Sequence, residues 1–195
     1  MTPATLGYDD SYEPIEFDPD GAKALLEEAG ASDLALTLSS YSSTSTVPQF
    51  SRLAETIAGY WQQIGVDATL NVADANTILP AWRARQLRGA GLIAGPVSFY
   101  DEPSRFGSSF FASDASYTTL VDPEMDALLE RLDQAVDVEE REEIGHEFGQ
   151  LLHEQLYALP IVRVSSLVAA NENVAEFEFL PGNPYFGPFW YLRAS

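Results

Sequence analysis

The 195-residue chain has no cysteine, a single lysine, two histidines and no long apolar run. The absence of cysteine excludes disulfides, thiolate metal sites and cysteine nucleophiles. A membrane-spanning helix needs roughly 18 consecutive apolar residues, and no stretch of the sequence provides them. Positions 1–25 also lack the basic start and apolar core of a signal peptide. Either the chain is cytosolic, or it begins after an export signal.

Positive charge is scarce as well. Thirty acidic residues against ten basic ones give a net charge of −20. A surface that binds phosphate backbones needs clustered lysine and arginine, so nucleic acid is excluded as a partner. Two explanations of the acidity stay open: solubility in high salt, where self-repulsion is screened, or a genome that prefers arginine codons. In both cases the charge concerns solubility and not fold.

The first half of the chain alternates helical and strand-like patterns. Asp18 and Pro19 suit a helix start, and Gly30 suits the end of the same helix. Strand, helix, strand, helix and strand patterns follow at 34–38, 48–64, 66–72, 76–88 and 92–94. This order predicts an α/β fold in one globular domain, with a mostly parallel sheet flanked by helices.

The second half is more helical. Asp122 begins one predicted helix, and Asp137, with Glu140 three residues later, begins another. Helical spacing predicts eight inward-facing residues: Met125, Leu128, Leu129, Leu132, Ile144, Phe148, Leu151 and Leu152. Residues 159–164 have the composition of a returning strand. Neither an internal repeat nor a low-complexity linker interrupts the chain.

The partial motifs for catalysis, metal binding or nucleotide binding each lack the context or the spacing that the function requires. Residues 89–94 match the spacing of a dinucleotide fingerprint, but a helix precedes the glycines and a strand follows them, which predicts a simple turn. His146 and His153 are seven residues apart, about 10.5 Å along a helix, and are predicted to lie on a solvated face. We therefore expect no enzyme activity, no metal site and no cofactor.

Two segments that follow predicted strands are candidate contact surfaces for a small ligand. The first is the hydroxyl-rich loop 39–46, in which the candidate ligand-binding residues are Tyr41, Ser43, Thr44, Ser45 and Thr46. The second is 95–103, in which they are Ser98, Phe99, Tyr100 and Asp101. Ligands of open α/β sheets bind at the carboxyl ends of strands. The alternatives stay open: a mobile loop that supplies a helix cap, and a local aromatic cluster.

Five segments, in order, resemble the extracytoplasmic solute-binding proteins of peptide/nickel-type ABC importers. Residues 17–30 resemble the "(Y/F)-D-P-x-x-A-K-x-L-L-x-x-A-G" helix of that family. Similar matches cover 53–66, 122–129, 141–152 and 157–161. Gly145 stands where the family usually has tyrosine, and Tyr157 replaces a proline.

The resemblance implies one lobe of a periplasmic-binding-protein-like fold, with residues 1–195 as the C-terminal lobe and a larger N-terminal lobe missing. It further implies a solute held between the lobes, importer membrane subunits as partners, and a periplasmic or extracellular location, lipid-anchored or secreted in the full-length protein. Residues 95–99 lack the family's "G-W-x-x-D" motif, and 43–45 lack an arginine. The solute is thus peptide-like or, without these charged anchors, neutral or sugar-like. The alternative function is the sensor lobe of a transcriptional regulator.

Overall fold

The computed structural model describes residues 5–13, 15–43, 49–93, 102–118 and 120–162, together with the backbone of 174–177 and 192–194. Contacts divide the chain into two compact units, where the sequence predicted one domain. The sheet unit comprises residues 13–94, and the helical unit comprises residues 1–12 and 95–195.

The sheet unit is a three-stranded parallel sheet with helices. Its elements are α1 (Pro19–Glu28), β1 (Ala35–Tyr41), α2 (Phe50–Gln63), β2 (Asp67–Ala73), α3 (Ala75–Arg83) and β3 (Ala90–Leu92). The strand order is β2-β1-β3, and β1 pairs in parallel with both neighbours. Crossovers between parallel strands are almost always right-handed, so this order is expected to put α2 and α3 on opposite faces of the sheet. The predicted α/β fold class is confirmed.

Helix α1 has the ends that the sequence predicted. Asp18 Oδ1 accepts a hydrogen bond from the Gly21 amide at 2.8 Å, and Gly30 has a φ of +65°. The apolar residues of α1 are not part of the core, because no residue of α1 is buried and Leu25 is 68% exposed. The helix is therefore stabilised mainly by its ends and by half-buried contacts at Ala22 and Leu26.

Strand β1 extends three residues beyond its predicted end. Ser39 and Ser40, assigned to the hydroxyl-rich loop by the sequence pattern, are 1% and 0% exposed within the strand. Burial is tolerated because both hydroxyls are paired: Ser39 Oγ accepts from Asn71 Nδ2 at 3.1 Å, and Ser40 Oγ donates to the Tyr41 carbonyl at 3.2 Å. The loop therefore begins only after Tyr41.

The glycines of the 89–94 segment serve packing. Gly89 has a φ of +84°, and a Cβ at this residue would lie 2.3 Å from the Thr37 carbonyl oxygen. A Cβ on Gly91 would lie 2.5 Å from the Trp82 ring. Both positions need glycine because the chain passes close to β1 and to α3. Gly89 lies in the turn that the sequence context predicted, whereas β3 begins at Ala90, two residues before the strand predicted at 92–94.

The helical unit contains α4 (Pro103–Phe110), α5 (Pro123–Gln134) and α6 (Val138–Gln155), and an antiparallel pair of β4 (Val174–Phe177) and β5 (Leu192–Ala194). The eight residues predicted to face inward in α5 and α6 are all buried. Phe106 and Phe111, which lie in and just after α4, pack edge-on against Phe148 of α6. The sequence analysis missed α4, and the strand prediction was wrong for 159–162, which form no strand.

The N-terminal segment packs on α6 through two glycines. A Cβ on Gly7 would lie 2.4 Å from the Gly145 carbonyl carbon, and one on Gly145 would lie 2.7 Å from the Leu6 carbonyl oxygen. Further along, the Tyr12 and His153 rings stack with centroids 4.8 Å apart. His153 is therefore half-buried against Tyr12, which corrects its predicted solvated position, whereas His146 is exposed as expected. Glycine in place of the family's usual tyrosine leaves room for this segment.

A hydrogen bond joins the end of α6 to the start of α5. Tyr157 Oη donates to Asp122 Oδ2 at 2.6 Å, while Asp122 Oδ1 accepts from the Glu124 amide at 2.9 Å and so caps α5. The hydrogen bond with Tyr157 lowers the pKa of Asp122, and the same bond raises the pKa of Tyr157. Both shifts favour the state in which Asp122 is ionised and Tyr157 is protonated.

We expect Tyr157→Phe to lower the stability of the helical unit between about pH 4 and about pH 10, the ordinary pKa values of the two groups. The stabilisation through Asp122 is lost as the pH falls through its lowered pKa, and that through Tyr157 is lost as the pH rises through its raised pKa. Urea midpoints of wild type and variant should therefore converge at both extremes. Tyr8→Phe is the control, and a pH-independent difference for Tyr157→Phe would contradict the expectation.

Candidate functional site

The carboxyl edge of the sheet is where the two predicted loops depart. Ser40 pairs with Leu92, so β1 and β3 end side by side at the same edge of the sheet. In sheets whose order begins β2-β1-β3, the topological switch point lies between β1 and β3, and ligands bind outside the strand ends there. Both candidate segments follow these strand ends in the sequence, and their position in space remains a prediction.

The residues that flank the first candidate loop are held by hydrogen bonds and by ring stacking. The Ser42 amide donates to the Ala73 carbonyl at 2.8 Å, and the Ser51 amide donates to the Ser42 carbonyl at 3.3 Å. Tyr41 stacks on Phe50 with ring centroids 5.9 Å apart, and the two side chains are 7% and 3% exposed. The strand end and the start of α2 are therefore fixed to each other.

This geometry separates the candidate residues of the first loop. Tyr41 is buried at the end of β1 against Phe50, whereas Ser43 is exposed two residues later. Thr44, Ser45 and Thr46 lie outside the described residues. Their role in ligand binding remains a prediction, as does that of Ser43.

The second candidate segment is described only at its flanks. Ser98, Phe99, Tyr100 and Asp101 lie outside the residues that the structure describes, and their role remains a prediction. The segment departs after Ile93, directly beyond β3, and the described chain resumes at Glu102, the N-cap position of α4.

Sequence reasoning missed a charged pair that includes Glu102, near the end of this second segment. Arg141 Nη1 donates to the carbonyls of Leu132 and Ala135 at 3.3 and 3.1 Å, and Arg141 Nη2 pairs with Glu102. An arginine that opens a helix, together with a glutamate before a helix-starting proline, is the only signal that the sequence offered. Neither residue reveals its partner, because they are 39 positions apart.

An open groove of about 350 Å³ lies between α5 and α6, and it contains none of the predicted ligand residues. Arg131 and Glu147 both line it, and Arg131 donates to both carboxylate oxygens of Glu147 at 2.6 and 3.0 Å, which lowers the pKa of Glu147. Within the described ranges, no three acidic or histidine side chains are grouped to hold a metal ion. Among the residues that the structure describes, no helix is both long enough and apolar enough to cross a membrane.

Comparison with known proteins agrees with this topology. Residues 1–118 match the family described as bacterial extracellular solute-binding proteins, family 5 middle region. Because this match covers more than half of the chain, the chain belongs to that family. The resemblance found in the five sequence segments is thereby confirmed.

Individual relatives are distant. Di/tripeptide-binding protein 4 of Pseudomonas aeruginosa is 26% identical over 165 residues, which are 82% of this chain and 31% of that protein. A dipeptide-binding protein from Pseudoalteromonas, solved with Met-Leu, superposes with a TM-score of 0.76 at 19% identity, covering 100% of this chain and 39% of the other.

A nickel ABC transporter protein from Bacillus halodurans superposes with a TM-score of 0.64 at 20% identity, over 78% of this chain and 34% of the other. At these identities the structural likeness establishes the fold. The chain spans about a third of the length of the curated relatives that it matches.

Proposed function

We propose that the protein is the solute-binding component of an ABC importer and performs no catalysis. The observation that carries this proposal is membership in the extracellular solute-binding family over residues 1–118. The parallel β1 and β3, which are neighbours in the sheet, support the carboxyl edge of the sheet as the binding place in this proposal. The importer's membrane subunits are then its partners, and the periplasm or the cell exterior is its location, by lipid anchor or secretion.

The chain is best explained as the C-terminal lobe of a two-lobe protein. The relatives are about three times as long, which supports a further lobe in the whole protein. Apolar side chains remain exposed in both units, among them Leu25, Leu159 and Val162 at 68%, 56% and 64%. Contacts of the solute with both lobes would supply the free energy of closure, so residues 1–195 alone bind weakly or not at all.

A short peptide is the first candidate solute, because the relatives are named di- and tripeptide-binding proteins. A neutral or sugar-like solute is the second. It is favoured by residues 95–99, which lack the tryptophan and aspartate of the family's peptide-binding motif, and by 43–45, which lack an arginine. Hydroxyls at Ser43 and Ser98 and the rings of Phe99 and Tyr100 suit stacking and hydrogen bonding with either class.

The test is titration of the full-length protein with Met-Leu and with cellobiose while tryptophan fluorescence is followed. We expect saturable binding of one probe and a roughly tenfold weaker affinity in Phe99→Ala, since a stacked aromatic contact contributes about 1.4 kcal/mol. Phe17→Ala is the matched control, because Phe17 is a 74% exposed aromatic that precedes a helix rather than follows a strand.

The outcomes separate the candidates. Binding of Met-Leu alone supports a peptide solute, and binding of cellobiose alone supports the second candidate. Failure of a broad set of peptides and sugars to bind the full-length protein would overturn the importer proposal. An equal loss of binding affinity in Phe99→Ala and Phe17→Ala would show that the second segment is not part of the solute site.

A further inference from the structure

The segment that follows α6 begins at a fixed point in the helical unit. Leu156 ends the helix in the left-handed conformation, with a φ of +54°, and Tyr157 then packs against the buried cluster of that unit. The hydrogen bond from Tyr157 Oη to Asp122 Oδ2, 2.6 Å long, holds the ring at the start of α5. The chain therefore leaves the core at Ala158.

Beyond this point, residues 158–162 are an uncharged, apolar stretch without cover. Leu159, Ile161 and Val162 are 56%, 51% and 64% exposed, and the other two residues of the stretch are exposed as well. The stretch lies in no helix or strand, although isoleucine and valine favour strands. Contiguous apolar surface of this kind marks an interaction site, and an open segment of strand-like composition invites pairing with another strand.

Pro160 decides which side of the stretch a partner strand can use. In a β-strand the backbone groups of alternate residues point to opposite sides, so those of Leu159 and Ile161 share one side. The other side is shared by Pro160 and Val162. Proline has no N–H to donate, and prolines in sheets therefore lie on edges. Only the side of Leu159 and Ile161 has a complete set of donors and acceptors.

Resting on the proposed function, we propose that residues 158–162 pair, through the backbone of Leu159 and Ile161, with a strand from the part of the full-length protein that precedes residue 1. This is strand addition to an unpaired segment, in which main-chain hydrogen bonds supply the affinity. The segment then holds the two lobes together at a place that does not depend on the solute.

The length of the relatives favours a partner within the same polypeptide. They are about three times as long as this chain, so most of the full-length protein lies outside residues 1–195. A strand on the same polypeptide is present at a high effective concentration, whereas a separate protein must be captured from solution. Until it was captured, the uncharged stretch would stay open to self-association.

The first experiment measures amide hydrogen exchange in the full-length protein without solute, resolved to single residues. We expect Leu159 and Ile161 to exchange at least about 100-fold more slowly than Val162, because only their amides donate to the partner strand. Ile161→Pro removes one of these donors and should restore fast exchange at Leu159. Val162→Pro is the matched control, since it removes an apolar side chain and an amide on the side that does not pair.

The second experiment identifies the partner by photo-cross-linking. Leu159→p-benzoylphenylalanine carries a photoreactive side chain in the stretch, and Val136→p-benzoylphenylalanine, at a residue that is 90% exposed, is the control. We expect the first variant to cross-link to peptides that precede residue 1, with about tenfold less product from the second. Ile161→Pro should reduce the yield of the first variant about tenfold, and Val162→Pro should leave it unchanged.

Equal exchange at the three amides would overturn the proposal. So would cross-links confined to residues 1–195, or cross-links to a second molecule that vanish on dilution. If both readouts agree with the expectation while no peptide or sugar binds the full-length protein, the importer proposal fails and the strand pairing stands.

Discussion

Phe148→Ala is expected to destabilise the helical unit by about 3–5 kcal/mol, the usual cost of removing a fully buried aromatic side chain. Phe148 has an exposure of 0% and packs edge-on against Phe106 and Phe111, with ring centroids 6.2 and 6.0 Å away. The three rings join α6 to α4 and to the turn that follows it. A cavity at this point would therefore weaken the attachment of α4 as well as the core.

The measurement is urea unfolding combined with hydrogen exchange in α4, α5 and α6. Val136→Ala is the control, because Val136 is 90% exposed and its truncation should change stability by less than about 0.5 kcal/mol. Exchange in β1 and β2 of the sheet unit provides an internal reference. A Phe148→Ala loss as small as that of Val136→Ala would show that the ring cluster does not form the core.

Gly7→Ala is expected to cost about 3 kcal/mol, from a left-handed backbone and from a clash that cannot be relieved by a side-chain rotation. The φ of Gly7 is +74°, and the added Cβ would lie 2.4 Å from the Gly145 carbonyl carbon. Since both contacting groups are backbone, the N-terminal segment must move away from α6. The stacking of Tyr12 on His153 should weaken with it.

Gly30→Ala separates the cost of the left-handed backbone from the cost of the clash. Gly30 has a similar φ of +65°, but its added Cβ would meet nothing within 4 Å. This variant should therefore cost only the conformational strain, about 1 kcal/mol. The expected readouts are the difference between the two urea midpoints and increased proteolysis of residues 5–12 in Gly7→Ala alone. Equal losses in both variants would mean that the close approach to Gly145 contributes nothing.

Local signals in the sequence predicted local structure well. The caps at Asp18, Asp122 and Asp137 each accept backbone N–H groups at the helix starts where the sequence placed them. Capping depends on residues within three positions of one another, so a reader of the sequence sees all the participants. The helical spacing of apolar residues in α5 and α6 identified the core for the same reason.

Predictions failed where distant partners decide the outcome. Ser39 and Ser40 have the composition of a loop, yet they are buried in β1, and the Ser39 hydroxyl accepts from Asn71, 32 positions away. Residues 159–162 have a strand-like composition, yet no strand forms there, since a strand exists only when another one pairs with it. Helix α4 was missed because its buried residues, Pro103, Phe106 and Gly107, are explained only by their packing against other helices, which the sequence does not show.

The same difference between local signals and distant contacts applies to the candidate site. The sequence alone predicted that solute contacts follow the strands, and this stays a prediction; the structure adds that β1 and β3 are parallel neighbours. Only the tertiary structure revealed that Tyr41 packs on Phe50, and that Arg141 meets Glu102.

By itself the sequence determined the family, the α/β class and the helix starts at Asp18, Asp122 and Asp137, because these depend on short, contiguous patterns of residues. The tertiary structure decided which polar residues are buried, which glycines permit close backbone approach, and which charges pair. Those properties depend on groups that meet only after the chain has folded, such as Gly7 with Gly145 and Arg141 with Glu102. The pairing of polar groups and the close approach of backbones are relations between distant segments, and no local pattern encodes them.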